Sequence, residues 1–117
     1  MKLNEVAEQL GLHIYCCGDM LGQHEVKGGY VSDLLSDVMG NAKEGQVLIT
    51  LQTHKNVMAV ASLKDLSAVV LVKGLVPDAD TLQHAEEEKI PMLGTNLETF
   101  EIAGRLYNIL YSETGKG

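Results

Sequence analysis

The fold of this chain is indicated by one stretch, Gly28-Gly29-Tyr30-Val31-Ser32-Asp33-Leu34-Leu35-Ser36-Asp37-Val38-Met39. A short β-like run over residues 24–27 precedes it, and the two glycines are predicted to end that run in a tight turn. A helix is predicted directly afterwards, because the apolar residues follow the i, i+3, i+4, i+7, i+8 spacing of one buried face. Ser32 is the predicted N-cap, and Asp33 suits the positive end of the helix dipole.

Two interpretations of Gly28 and Gly29 stay open. The glycines either only make the turn, or they let the backbone approach a ligand or another backbone closely. In both cases valine at either position is expected to cost stability or binding, because a positive φ or a close backbone approach is expected there. The apolar face that follows is predicted to be buried and consists of Val31, Leu34, Leu35, Val38 and Met39.

Strands and helices alternate along the rest of the chain. Nearly continuous apolar runs over 46–51 and 68–72 predict buried strands, and shorter strands are predicted over 12–17 and 91–93. A capping box over residues 95–98 starts the last helix. This alternation predicts an α/β fold with a mainly parallel sheet and helices on both faces.

Length and charge limit the class of protein. The 117 residues, 45% of them apolar, fit one domain, predicted over residues 1–111, with a disordered tail over 112–117. The net charge is −7 and the nine basic residues are scattered, so nucleic acid and anionic membranes are not expected as partners. No apolar run approaches the roughly 20 residues of a membrane-spanning helix.

The two cysteines are adjacent, at Cys16 and Cys17. Neighbouring cysteines rarely bond each other, because an ordinary disulfide needs its Cα atoms well apart. No disulfide framework is therefore expected. Residues 1–20 lack a basic segment followed by an apolar one, so no signal peptide is expected either. Both observations predict a reducing, cytoplasmic location. Packing in the core is the favoured role of the cysteines, and their redox activity stays open.

No motif for catalysis or metal binding is present. The phosphate-loop pattern and GxGxxG are absent, and GxSxG is absent too. The four histidines, at positions 13, 24, 54 and 84, do not have the spacing of metal ligands. We therefore predict no catalytic residue, no metal, no cofactor, and no kinase or phosphorylase activity.

Candidate binding residues gather at the predicted carboxyl ends of the strands, where ligands of parallel sheets bind. Small, polar or glycine residues run there into helix N-termini, whose N–H groups favour an anion. His54 could bond a phosphate or a base. The alternative is ordinary loop chemistry, with helix caps at Thr53 and Thr95. The complete candidate set is Gly28, Gly29, Ser32, Thr50, Thr53, His54, Gly74, Gly94 and Thr95.

The last helix has two adjacent apolar stripes. One consists of Phe100, Ala103, Tyr107, Leu110 and Tyr111, and the other of Ile102, Leu106 and Ile109. Together they cover more of the helix than packing on a sheet requires. One stripe is expected to face the sheet, and the other to be covered by the first helix or by a second copy. We predict a homodimer with Ile102, Leu106 and Ile109 at its interface.

The segment 25–39 resembles the signature of the DRTGG domain family. The segment 47–56 and the helix around 59–62 fit the same family, and the resemblance covers about residues 1–111. The chain departs from the name-giving motif, because only Gly28 and Gly29 match it and Glu-Val-Lys stands in place of Asp-Arg-Thr.

The resemblance implies a fold similar to the N-terminal domain of HPr kinase/phosphorylase and to the N-terminal domains of Mur ligases. The phosphate-loop catalytic domain of that kinase is missing here. Family members occur beside CBS domains in regulated pyrophosphatases, within some phosphate acetyltransferases, and as small free-standing proteins, in roles that look regulatory or dimer-forming. We therefore expect a non-enzymatic regulatory module that senses a small ligand, such as an adenine nucleotide. The alternative is an interaction subunit that docks on a metabolic or redox enzyme without a ligand of its own.

Overall fold

The computed structural model describes the backbone of residues 1–116 and the side chains of residues 1–112. The strands are β1 (His13–Cys16), β2 (Gly28–Val31), β3 (Gln46–Thr50), β4 (Ala68–Leu71) and β5 (Met92–Gly94). The helices are α1 (Leu3–Leu10), α2 (Leu35–Asn41), α3 (Asn56–Leu63), α4 (Ala79–Glu88) and α5 (Thr99–Lys116), with a 3-10 helix at Gly18–Gln23. The disordered tail predicted for residues 112–117 falls mostly outside the described side chains and stays a prediction.

The sheet has the strand order β1-β5-β4-β3-β2. Strands β2, β3, β4 and β5 are parallel, and β1 joins the edge of β5 antiparallel. Helices α2, α3 and α4 cover one face, while α1 and α5 cover the other. Strand β3 shows the division, because Leu48 packs in the first layer and Val47 and Ile49 pack in the second. The predicted α/β class, with a mainly parallel sheet and helices on both faces, is confirmed.

The central stretch folds differently from its prediction. The two glycines begin β2 itself, which pairs with β3 from Gly28 opposite Gln46 onward. Helix α2 begins only at Leu35, so the predicted N-cap at Ser32 is wrong. Pairing with β3 continues through Val31, and the N–H of Ser32 still donates to the carbonyl of Ile49 at 3.3 Å, so these residues belong to the sheet and do not start the helix. Leu34 is consequently 63% exposed instead of buried.

Neither Gly28 nor Gly29 has a positive φ, so the predicted turn is absent. A Cβ added at Gly29 would lie 3.0 Å from Cδ2 of Leu106, on α5. A Cβ at Gly28 would meet its nearest neighbour, the hydroxyl of Tyr111, at an ordinary 3.6 Å. The close approach at Gly29 is therefore to a core side chain of the same chain. This packing against Leu106 accounts for a glycine at position 29 without any ligand.

Two predicted helix caps are also displaced. Helix α3 begins at Asn56 with Lys55 as its N-cap, so Thr53 lies outside it. Helix α5 begins at Thr99, and the hydroxyl of Thr95 accepts the N–H of Leu97 at 3.2 Å in a local turn. The threonines shape the loops that lead into these helices.

Candidate functional site

The loops after β2 and β3 are joined by one carboxylate. Oδ1 of Asp33 accepts the Thr50 hydroxyl at 3.1 Å and the N–H of Leu51 at 2.7 Å. The side-chain amide of Gln52 donates to the backbone carbonyl of Asp33 at 2.7 Å. Thr50 is only 1% exposed, so its hydroxyl needs this partner. Asp33 fixes the carboxyl end of β3, a role that its interpretation as a dipole partner missed.

The loops after β3 and β4 are joined in the same way. The carbonyl of Thr53 accepts the hydroxyl of the buried Thr81 at 2.7 Å and the N–H of Asp78 at 3.2 Å. Nδ1 of His54 lies 3.2 Å from Oδ2 of Asp78. Both of these side chains are exposed, so the pair is a solvated one that holds the imidazole at the loop surface.

The loops after β4 and β5 share backbone hydrogen bonds. The N–H of Gly74 donates to the carbonyl of Thr95 at 2.9 Å, and the N–H of Lys73 donates to that of Leu97 at 2.9 Å. Lys73 and Gly74 both have left-handed φ values, 58° and 72°. This turn leaves the Lys73 side chain exposed.

Six candidate residues lie at the carboxyl ends of the parallel strands: Ser32, Thr50, Thr53, His54, Gly74 and Thr95. Two exposed lysines, Lys55 and Lys73, accompany them on the same loops. The remaining three do not belong to this edge surface. Gly28 and Gly29 lie in β2, and a Cβ at the buried Gly94 would meet the ring of Tyr15 at 2.6 Å.

A second polar group surrounds Asp37 in α2. The Tyr30 hydroxyl donates to Oδ2 at 2.9 Å, and the Asn41 amide donates to Oδ1 at 3.0 Å. The hydroxyl of Ser32 and then that of Tyr30, with help from Asn41, lower the pKa of Asp37. Asp37 in turn raises the pKa of Tyr30. The carboxylate is thus stabilised in its charged form, which suits a structural acceptor and not a general acid.

Helix α5 buries the stripe that was predicted for a dimer interface and exposes the adjacent stripe. Ile102, 1% exposed, and Leu106 are buried in the layer between α5 and the sheet, and Ile109 packs partly against it. The proposed interface of Ile102, Leu106 and Ile109 is therefore misplaced, because these side chains already fill the core of the chain. The exposed stripe contains Phe100, 92% exposed, and Tyr107.

An apolar cavity of about 230 Å³ lies between the sheet edge and α5. We call it the β2–α5 groove. It is lined by Gly29, Val31, Ile49, Leu106, Tyr107 and Tyr111. The rings of Tyr107 and Tyr111 are 4.7 Å apart between centroids. Val31, Tyr107 and Tyr111 are exposed at its rim, next to the outer strand of the sheet.

The side chains of the two cysteines lie close together at the end of β1. Their Sγ atoms lie side by side where β1 ends, at Cys16, and the next turn begins, at Cys17. The expectation that the two do not bond each other stays a prediction. Cys17 has a left-handed φ of 67°, which begins the turn into the 3-10 helix.

In the described part of the chain, no three side chains among His, Cys, Asp and Glu come together in a way that would hold a metal ion. None of the helices there is long and apolar enough to cross a membrane.

These features define a small α/β domain with a polar, loop-built edge at the carboxyl ends of its parallel strands. A sequence profile of the DRTGG domain matches residues 5–109, so the chain belongs to the DRTGG domain family. The resemblance of the segment 25–39 is thereby confirmed at the level of the family. The comparison with curated proteins gave no match.

A solved structure shares the fold. It is the crystal structure of the CBS and DRTGG domains of the regulatory region of Clostridium perfringens pyrophosphatase, complexed with the activator diadenosine tetraphosphate. The TM-score is 0.65 at 16% identity, over 90% of this chain and 45% of that one. This chain therefore spans less than half the length of that neighbour, and the likeness is one of fold.

Proposed function

We propose that this protein is a non-enzymatic regulatory module that binds a phosphate-bearing ligand of the adenine nucleotide class at the carboxyl edge of its sheet. The observation that carries the proposal is that the loops after β3 and β4 carry three exposed nitrogen-bearing side chains, His54, Lys55 and Lys73. Their present partners are solvated carboxylates that a phosphate group could replace: Asp78 at 3.2 Å from His54, and Glu98 at 3.9 Å from Lys73. An imidazole and two ammonium groups are suitable partners for phosphate oxygens. The neighbour with this fold was crystallised with a nucleotide activator, which supports the ligand class.

Local charge matters in a protein with a net charge of −7. Anionic ligands are repelled by most of such a surface and are attracted only where cations gather. The loops that hold His54, Lys55 and Lys73 are fixed by the Asp33–Thr50 and Thr53–Thr81 hydrogen bonds. A ligand that contacts both loops would stabilise their relative position. A partner enzyme could then distinguish the ligand-bound loops from the ligand-free ones. This is the regulatory step that we propose.

A thermal-shift titration tests this function. Diadenosine tetraphosphate, ATP and inorganic phosphate are added separately, and a ligand at 100 times its Kd should add about 2.7 kcal/mol of stability, a shift of several degrees. His54→Gln and Lys73→Gln should each weaken the shift. Lys43→Gln is the matched control, because Lys43 is exposed just before β3, at the opposite edge of the sheet. No shift with any of these compounds, or equal loss in the control, would contradict the proposal.

The absence of catalysis is tested separately. Labelled ATP or pyrophosphate is incubated with a serine-containing acceptor protein and increasing amounts of this protein. We expect no transfer, because no phosphate-cradling loop is present in the sequence. Transfer at a rate proportional to the amount of this protein would show that it is an enzyme.

The β2–α5 groove favours a second candidate function, docking of a protein. Exposed aromatic and aliphatic side chains beside an edge strand are typical of an interaction surface. We propose that the predicted homodimer uses this surface, with Tyr107 near its centre, in place of the buried stripe. A metabolic or redox enzyme is the other occupant that we consider.

Sedimentation tests the docking surface. Tyr107→Asp should reduce self-association, whereas Asn108→Asp, which adds the same charge at an exposed neighbouring position, should not. A protein that is monomeric at micromolar concentration would rule out the homodimer. Nucleotide binding that persists in the Tyr107 variant would show that the two surfaces act independently.

A further inference from the structure

Two sulfur atoms meet at the end of β1, away from both surfaces discussed so far. Cys16 is buried and Cys17 is partly exposed, and their Sγ atoms lie next to each other. Because β1 runs antiparallel to β5, its last residue lies at the amino-terminal edge of the parallel strands. The pair is thus at the opposite edge from the loops proposed for ligand binding. Neither the family match nor the structural neighbour assigns these residues a role.

The sulfur atoms contact the turn that joins α4 to β5. Sγ of Cys17 lies 3.7 Å from the carbonyl oxygen of Ile90 and 3.9 Å from that of Ala85, and Sγ of Cys16 lies 4.0 Å from the Ile90 oxygen. A thiol can donate its S–H hydrogen to such an oxygen, but a disulfide has no hydrogen to donate. The partners available to the Ile90 carbonyl therefore differ between the two oxidation states.

We propose that Cys16 and Cys17 form a reversible thiol–disulfide site whose oxidation state is sensed by the turn over residues 85–90. The geometry of that turn suits this role. It closes α4 through Lys89, a non-glycine residue with a left-handed φ of 59°, and the N–H of Ile90 donates to the Ala85 carbonyl at 3.1 Å. On oxidation the partly buried carbonyl of Ile90 would lose its thiol donors, and this loss would weaken the turn.

The oxidant that we assign is a low-molecular-weight disulfide such as glutathione disulfide. The thiolate of Cys17, the accessible sulfur, attacks that disulfide, forms a mixed disulfide and releases one glutathione thiolate. The thiolate of Cys16 then attacks Sγ of Cys17 and releases the second. One S–S bond breaks and one forms, two electrons pass from the cysteines to the oxidant, and the two cysteine protons end on the released glutathione. Excess reduced glutathione reverses both steps.

Alkylation and mass spectrometry test the site on the full chain. The protein is equilibrated with mixtures of reduced and oxidised glutathione and then alkylated. We expect the wild type to convert from a form that takes two alkyl groups to one that takes none and has lost two hydrogens. Cys16→Ser, the matched control, should instead accumulate a glutathione adduct on Cys17. Two alkylatable thiols in the wild type at every ratio, or stable glutathione adducts on it, would overturn the proposal.

Hydrogen exchange tests the coupling to the turn. Amides of residues 85–90 should exchange faster in the oxidised wild type than in the reduced one, while those of β3 should not change. The Cys16→Ser/Cys17→Ser double variant, which has no thiol to oxidise, should show no such response to the glutathione mixtures. Equal exchange of the turn in both states of the wild type would overturn the coupling, whichever form the cysteines prefer.

Discussion

Substitution of the two central glycines by alanine should have opposite effects on stability. A Cβ at Gly29 would lie 3.0 Å from Cδ2 of Leu106. Carbon atoms prefer separations of about 3.5 to 4.0 Å, so the leucine must move by about 0.5 Å. Leu106 is buried against the sheet, and overpacking of this kind costs about 1 to 2 kcal/mol. The lower entropy of the unfolded alanine chain offsets about 0.5 kcal/mol of that cost.

The expected result is that Gly29→Ala destabilises by about 1 kcal/mol. Gly28→Ala meets only an ordinary contact at 3.6 Å and should stabilise by about 0.5 kcal/mol. The assay is urea denaturation: the midpoints of the variants are compared, and an unchanged slope m shows that a shift in midpoint reports a change in stability.

A double-mutant cycle shows whether Leu106 is the cause. Leu106→Ala alone should cost about 2 to 5 kcal/mol. In that background the conflict is gone, so Gly29→Ala should become neutral or stabilising, with a coupling energy of about 1 to 2 kcal/mol. Equal effects of the two glycine substitutions, or strict additivity in the cycle, would refute the reasoning.

Three further outcomes are expected. Asp33→Ala removes the acceptor of a buried threonine hydroxyl and should lower the free energy of unfolding by about 1 to 3 kcal/mol in urea. The hydroxyl groups around Asp37 lower its pKa, so the stability they contribute is fully present above the pKa of Asp37 in the unfolded chain and is lost as the pH falls through its pKa in the folded protein. Tyr30→Phe should therefore make the urea midpoint fall less steeply between pH 7 and acidic pH. Ile102→Asp should unfold the chain by burying a charge, whereas Tyr107→Asp should change thermal stability by less than about 0.5 kcal/mol. A larger loss of stability in the Tyr107 variant than in the Ile102 variant would contradict the orientation of α5.

The buried strands could be predicted from sequence because both of their faces are covered. β3 and β4 show nearly continuous apolar runs, and both were predicted to within a residue or two. β2 could not be predicted in the same way. It is a four-residue outer strand that begins with two glycines, and its register is set by β3, which lies later in the chain.

The residues of the candidate site also differ in whether the sequence could predict their roles. Topology alone places the residues that follow β3 and β4 at one edge, so Thr50 and His54 could be predicted as members. The acceptor role of Asp33 could not, because it depends on β2 ending beside Thr50. The orientation of α5 was also open, since its two apolar stripes are adjacent and only packing against the sheet decides which one is buried.

The antiparallel strand β1 has a consequence for how the protein is made. Its sheet partner is β5, with His13 opposite Gly94, so the two ends of the domain meet in one strand pair. During synthesis, β1 emerges before every other strand and must wait for almost the whole domain before its partner leaves the ribosome. Helix α1, which emerges even earlier and shares its buried layer with α5, waits longer still, because α5 follows β5. The nascent chain therefore exposes apolar surface until nearly the whole domain has been made, and this interval is when it most needs a chaperone.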